Sequence, residues 1–200
     1  MSYEKRVRFI NVESDRIKEI FLKTLHQFPV LHPHIIRIKY RPLRHTTMQA
    51  QPVLNRHFFH RRRRHYQIDI NDHTRINRHI RVDELPEAVL AGWFAHELGH
   101  LVDYLKRGGF NLMGFGFGYV AFEYFRIGAE RMADLHAIDH GFGEHIKETK
   151  KFILEESSLP NEYKTRIERF YMSPEEVELM LGQEVEEEVC MDRPEMRPWQ

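Results

Sequence analysis

Residues 89–105, Val-Leu-Ala-Gly-Trp-Phe-Ala-His-Glu-Leu-Gly-His-Leu-Val-Asp-Tyr-Leu, most tightly constrain how this chain can fold. Their apolar side chains fall nearly all round a helical wheel. A helix of that kind belongs at the centre of a domain, because no face of it is suited to water. The expected start signals are Asp83 as N-cap and Pro86 in the first turn, and Gly108 and Gly109 mark the end. Yet the middle of this run carries His96, Glu97 and His100. Burying three ionisable groups among apolar neighbours is costly unless something compensates them.

The spacing shows what can compensate. Positions four apart on a helix lie about 40° apart around the axis and one turn along it. His96 and His100 therefore face the same way and can hold one metal ion, zinc being the expected one. Glu97 lies beside them, placed to take a proton from an attacking water rather than to ligate. Catalytic zinc usually has three protein ligands and one open position. A third histidine six residues after His100 is ruled out, since Asp103 and Lys106 stand where that longer pattern needs Gly and His. The better third ligand is Glu130, in Glu130-Arg131-Met132-Ala133-Asp134. Asp134, four residues on, shares its helix face and can accept a hydrogen bond from a ligand imidazole, fixing the ring's orientation. Glu123 is the weaker rival, because Ile127 stands where its acidic partner would be.

Around this centre the chain reads as a single α+β domain spanning 1–200, zincin-like in outline. Its core covers about 30–145, a helical extension about 145–190, and a loose tail 190–200. A first helix is expected over 14–28, where Ile17, Ile20, Phe21, Leu25 and Phe28 recur on one face. Alternating segments at 36–41, 46–51 and 66–71 read as strands. Pro52 puts the second of these at a sheet edge, since proline cannot donate to a ladder. The expectation is a small, mostly antiparallel sheet of three to four strands packed on the central helix. Later helices are expected over about 119–140, 144–156 and 161–171, and from Pro174 onward. The last opens on a capping box formed by Ser173 and Glu176.

The pattern of His96, Glu97 and His100, followed some thirty residues later by Glu130, Ala133 and Asp134, resembles the gluzincin clan of metallopeptidases. It is most similar to the branch that includes HtpX and the CAAX-prenyl-protease-like proteins. The likeness covers about 46–140, including Leu85-Pro86-Glu87-Ala88 at the start of the helix. It implies bound zinc, hydrolysis of a peptide or protein substrate, and an edge strand above the cleft. Membrane members of that branch have spanning helices, and this chain shows none. Residues 1–30 and 145–200 lie outside the likeness.

Composition narrows the rest. Lys+Arg and Asp+Glu are equal at 30 each, so no net field draws the chain to nucleic acid or an acidic membrane. The balance is uneven, with eighteen basic and ten acidic residues in 1–100, and twelve and twenty in 101–200. The simplest reading is that the two halves pack together. The single cysteine, Cys190, forbids an internal disulfide, and no signal-like segment or spanning run appears; a cytoplasmic protein without stable membrane insertion is expected. The arginine run 61–64 is read as a solvated face ahead of a site for nucleic acid or an acidic C-terminal partner. Residues 108–122 are read as a Gly-rich cleft wall or flexible loop ahead of a contact for lipid or an apolar substrate through Phe110, Phe115 and Phe117. Tyr119, His136 and His140 are candidate donors to an oxyanion. Two other readings compete with an active peptidase. One is a zinc-bound but catalytically silent module that binds a partner. The other is a nucleic-acid binder using the basic run.

Overall fold

The structure is a computed structural model that describes residues 3–44, 46–74, 79–155, 165 and 169–191, with backbone only for 183–191. It is an α+β arrangement of a four-stranded mixed sheet and, among the described residues, six α-helices. The strands are β1 (Val7–Ile10), β2 (Ile36–Tyr40), β3 (Met48–Pro52) and β4 (Tyr66–Ile70). The helices are α1 (Asp15–His26), α2 (Glu87–Lys106), α3 (Gly109–Ala121), α4 (Glu123–Ile138), α5 (Gly143–Glu155) and α6 (Pro174–Met191).

The sheet order is β1-β2-β4-β3, with β1 parallel to β2, β2 parallel to β4, and only β3 antiparallel to β4. This corrects the expected mostly antiparallel sheet. Alternation of apolar and polar residues marks a strand but carries no direction. The unforeseen β1 precedes α1, and a helical crossover joins strands that run parallel. Tyr66, Ile68 and Ile70 turn one face of β4 into the core. On the other face Asp69 is buried but satisfied by Gln51, Gln67 and Arg41.

β3 lies at the sheet edge. The ladder bonds from Asn71 N–H to the Thr47 carbonyl and from Val53 N–H to the His65 carbonyl fix its register. By period-two alternation the odd residues of β3 bond β4, while Met48, Ala50 and Pro52 direct their backbone groups outward. Pro52 therefore sits where its missing N–H costs nothing.

α2 is surrounded by β3, α1, α4 and α5, and its residues 94–105 are all buried. It begins after Pro86 rather than at Asp83, which instead lies in a short 3-10 turn and accepts from Arg81. Two glycines let its neighbours approach. A Cβ at Gly99 would overlap the Ala133 carbonyl oxygen of α4, and one at Gly92 would overlap Thr149 and the His145 carbonyl of α5. The end of α2 is tied by Arg64, the largest fully buried side chain among the described residues, which donates to the carbonyls of Phe58, Tyr104 and Arg107. The arginine run is thus not one solvated face: Arg61–Arg63 are exposed and Arg64 is internal.

The segment 108–122, read as a loop or cleft wall, forms helix α3, and the single helix expected over 119–140 breaks at Phe122 into α3 and α4. The capping box at the start of α6 is present, with Glu176 N–H on Ser173 Oγ at 3.2 Å and Ser173 N–H on Glu176 Oε2 at 2.8 Å. The expected helix over 161–171 and the tail fall largely outside the described residues. No helix among those described is long and apolar enough to cross a membrane.

Candidate metal centre

α2 presents His96 and His100 on the side facing α4, and α4 presents Glu130 and Asp134 back toward them. The helices approach this closely because Gly99 lets the Ala133 backbone lie against α2. One ligand atom each from His96, His100 and Glu130 lies within 4.8 Å of the others, and all three residues are buried. Glu130 Oε2 sits 3.1 Å from His96 Nε2 and 3.5 Å from His100 Nε2. Its other oxygen, Oε1, accepts a short hydrogen bond from the Tyr119 hydroxyl. Tyr119, a candidate oxyanion donor, is thus placed on Glu130 and orients that carboxylate.

His96 Nδ1 lies 2.8 Å from Asp134 Oδ1. Asp134 is fully buried and also accepts from Lys150 Nζ at 2.8 and 3.1 Å and from the Met172 N–H at 3.3 Å. Burial opposes ionisation of Asp134, but Lys150 and His96 outweigh it and hold its carboxyl below the ordinary value. An ionised carboxylate can only accept, so Nδ1 of His96 carries the proton. Nε2 then faces the Glu130 carboxylate at 3.1 Å, which leaves two acceptors opposed unless a cation or a second proton lies between them. Burial disfavours a charged His96, yet its bonds to Asp134 and Glu130 push the imidazole up to about 10. Burial likewise works against Glu130, but His100 and His96 hold it well below the usual carboxylate range. The centre is built around a positive charge, and its donor set of two imidazoles and one carboxylate suits a divalent metal.

Glu97 is beside this group and not part of it. Its Oε2 accepts the Ala50 N–H of β3 at 2.5 Å. Burial raises its carboxyl, against the lowering effect of His100 and His96. The Tyr104 hydroxyl lies 3.5 Å from the Ala50 carbonyl, so both outward backbone groups of Ala50 face the same cleft. That cleft has a volume of about 450 Å³. On one side of the histidines it is lined by Trp93, Ile146, Ile153 and Tyr171, and on the other by Leu112, Phe115 and Tyr119.

The other sequence candidates lie elsewhere. Glu123 pairs with Arg169, and Asp103 with Arg107 at 2.8 and 3.0 Å. His136 contacts Lys106 Nζ at 3.1 Å, and His140 bonds the His136 carbonyl and stacks on Phe28. Neither histidine lines the cleft. Lys150 was not anticipated. Its signal was available in α5, where Ile146, Thr149, Lys150 and Ile153 form one buried stripe with a lysine in its middle. A buried lysine needs an anionic partner. Comparison with protein-family models, with curated proteins and with solved structures gives no match.

Proposed function

We propose that this chain is a zinc-dependent endopeptidase, with His96, His100 and Glu130 as ligands, Asp134 orienting His96, and Glu97 as general base. One observation carries the reading. Glu97 reaches from beside the three converging donors to the Ala50 N–H on the open edge of β3, so base, cation site and a strand edge share one cleft. The likeness of the motif to gluzincin metallopeptidases supports it further.

An extended peptide can add to β3 as a further strand, pairing with the N–H and C=O of Ala50. Such pairing requires Glu97 to release the Ala50 N–H, which frees its carboxylate for the attacking water. His96, His100 and Glu130 would hold the zinc, which when bound would supply Lewis acidity to the scissile carbonyl and the attacking water. Glu97 takes the proton and delivers it to the leaving amine, a transfer eased because burial brings its basicity closer to neutral pH. Tyr119 holds Glu130 by one oxygen, leaving the other directed at the histidines. The apolar walls on both sides favour apolar side chains flanking the cleaved bond.

Elemental analysis of the purified protein should find one zinc per chain, lowered in His100→Ala. Glu97→Gln should keep zinc and fold but lose hydrolysis by about a hundredfold or more, the scale of a positioned acid–base group. Equal turnover in wild type and Glu97→Gln overturns the assignment. Two proline variants test the edge. Ala50→Pro removes the outward N–H and should abolish peptide turnover while zinc is retained. Gln49→Pro removes an N–H of the β4 ladder and should mainly cost stability. If both cleave at the wild-type rate, β3 is not the substrate edge.

A further inference from the structure

α3 contains no charged residue, and it is a helix with two different faces. Leu112, Phe115 and Gly118 turn inward, toward the cleft and α4. Phe110 and Phe117 turn outward and are 83 % and 70 % exposed, with Met113 beside them, and Val120, 80 % exposed, stands at the edge between this face and the mouth of the cleft. The apolar surface continues past the end of the helix through Phe122, whose ring lies 6.4 Å from that of Phe117, and Phe125, 6.1 Å from Phe122. It continues in the other direction through Phe59, whose ring is 5.2 Å from Phe110, and through Leu54, which shares a shallow groove with Phe59 and Met113. Isolated exposed apolar residues are ordinary, but a contiguous surface of this extent marks a place where something docks.

Charge identifies the occupant. The turn that supplies Leu54 and Phe59 also carries exposed Arg56, Arg61, Arg62 and Arg63, and Arg61 is anchored to the Leu105 carbonyl at the end of α2. Exposed Lys106 follows on α2. Neither 52–68 nor 104–122 contains an aspartate or glutamate, and Glu123, between Phe122 and Phe125 at the far end of the patch, is paired with Arg169. An apolar helix face bordered by cations of one sign matches a surface whose interior is hydrocarbon and whose rim is anionic.

We propose that the outer face of α3, with the adjoining 54–63 turn, is a docking surface for an anionic lipid bilayer. The helix lies in the interface and does not span. Phe110, Phe117 and Val120 enter the headgroup boundary, where burial of apolar area supplies the attraction. The arginines meet anionic headgroups, each adding to binding within a Debye length of the surface. The inference rests on this surface alone and is independent of the peptidase reading. Because the inner face of the same helix lines the cleft, docking brings that cleft beside the bilayer.

The test is flotation of the full chain with vesicles of phosphatidylcholine alone and with vesicles containing about one-third phosphatidylserine. Wild type should bind the anionic vesicles about tenfold or more better than the neutral ones, and added salt should erode the difference. Phe110→Ser with Phe117→Ser should remove binding to both. Arg62→Glu with Arg63→Glu should remove the anionic preference alone. All four side chains are exposed, so circular dichroism and melting should match wild type and show that folding is intact. The proposal is overturned if wild type remains unbound with both vesicles, or if the phenylalanine pair binds as wild type does. It is also overturned if sedimentation shows a dimer that the phenylalanine pair dissolves while vesicle binding is absent, since the face would then join two copies of the chain.

Discussion

Helices α2 and α3 are consecutive and both apolar nearly all round, yet they meet opposite fates. Every residue of α2 from 94 to 105 is buried, under the sheet edge, α1, α4 and α5. α3 has α4 and the cleft on one side and leaves Phe110, Phe117 and Val120 uncovered. Hydropathy states what a helix needs, and topology decides whether the chain itself supplies it. In α2 the supply is complete, so its polar residues must be satisfied inside the protein. His96, Glu97 and His100 are satisfied by Glu130, Asp134 and the Ala50 N–H, and that satisfaction is the candidate site. In α3 the supply from the described residues is half complete, and its outer face is left exposed.

The comparison predicts that small changes to α2 cost much. Gly99→Ala shows this most sharply. Helix propensity alone favours alanine over glycine by about 1 kcal/mol. Here the added methyl would overlap the Ala133 carbonyl, which is backbone and cannot rotate away. Forced overpacking typically costs about 1–3 kcal/mol, and against rigid backbone the upper end applies, so the steric cost exceeds the propensity gain. Urea denaturation should show the loss. Metal affinity should fall with it, because moving α4 separates Glu130 from the two histidines. An unchanged midpoint would mean that α2 and α4 are not held as closely as described.

A smaller loss is expected at Lys150→Met, which keeps the volume of the chain but removes the cation beside Asp134. Asp134 keeps His96 and the Met172 N–H, so it is not left wholly unpaired. The expected cost is about 2 kcal/mol, within the range for a buried acceptor that loses a partner. Denaturation monitored by far-UV circular dichroism measures it. Stability equal to wild type would show that His96 and the backbone suffice, and that the lysine in the α5 stripe has another purpose.

What could be read from sequence follows the range of each interaction. His96 and His100 were legible because the i, i+4 spacing places them within a single helix, and Glu130 with Asp134 for the same reason. Lys150 was harder, because its partner Asp134 lies on α4 and only the docking of α4 and α5 together on α2 joins them. Strand positions were legible from alternation, whereas the parallel pairing of β2 with β1 and β4 was not, since alternation is the same in both directions. Arg64 shows the reverse failure. Within a run of four arginines nothing local sets it apart, and it becomes internal because the end of α2 presents carbonyls to it. Helix α3 was hidden by its glycines, which disfavour a helix taken alone. It forms because Leu112, Phe115 and Gly118 pack on the cleft and α4.

The smallest expected effect lies on the outer face of α3. Phe117→Ser removes a large aromatic side chain, a change that inside a core costs about 3 kcal/mol or more. On this face the ring is already 70 % exposed, and it meets the ring of Phe122, itself exposed. Little apolar area returns to water in the folded state that was not there before. Helix propensity barely separates phenylalanine from serine. The free energy of unfolding should therefore change by no more than about 0.5 kcal/mol, as for surface substitutions generally. Thermal and urea melts of the free protein would measure this directly. A loss near the core value would mean that Phe117 is covered in solution, and α3 would then resemble α2. A near-neutral result keeps the two helices distinct, since this ring could then vary without cost to the isolated fold.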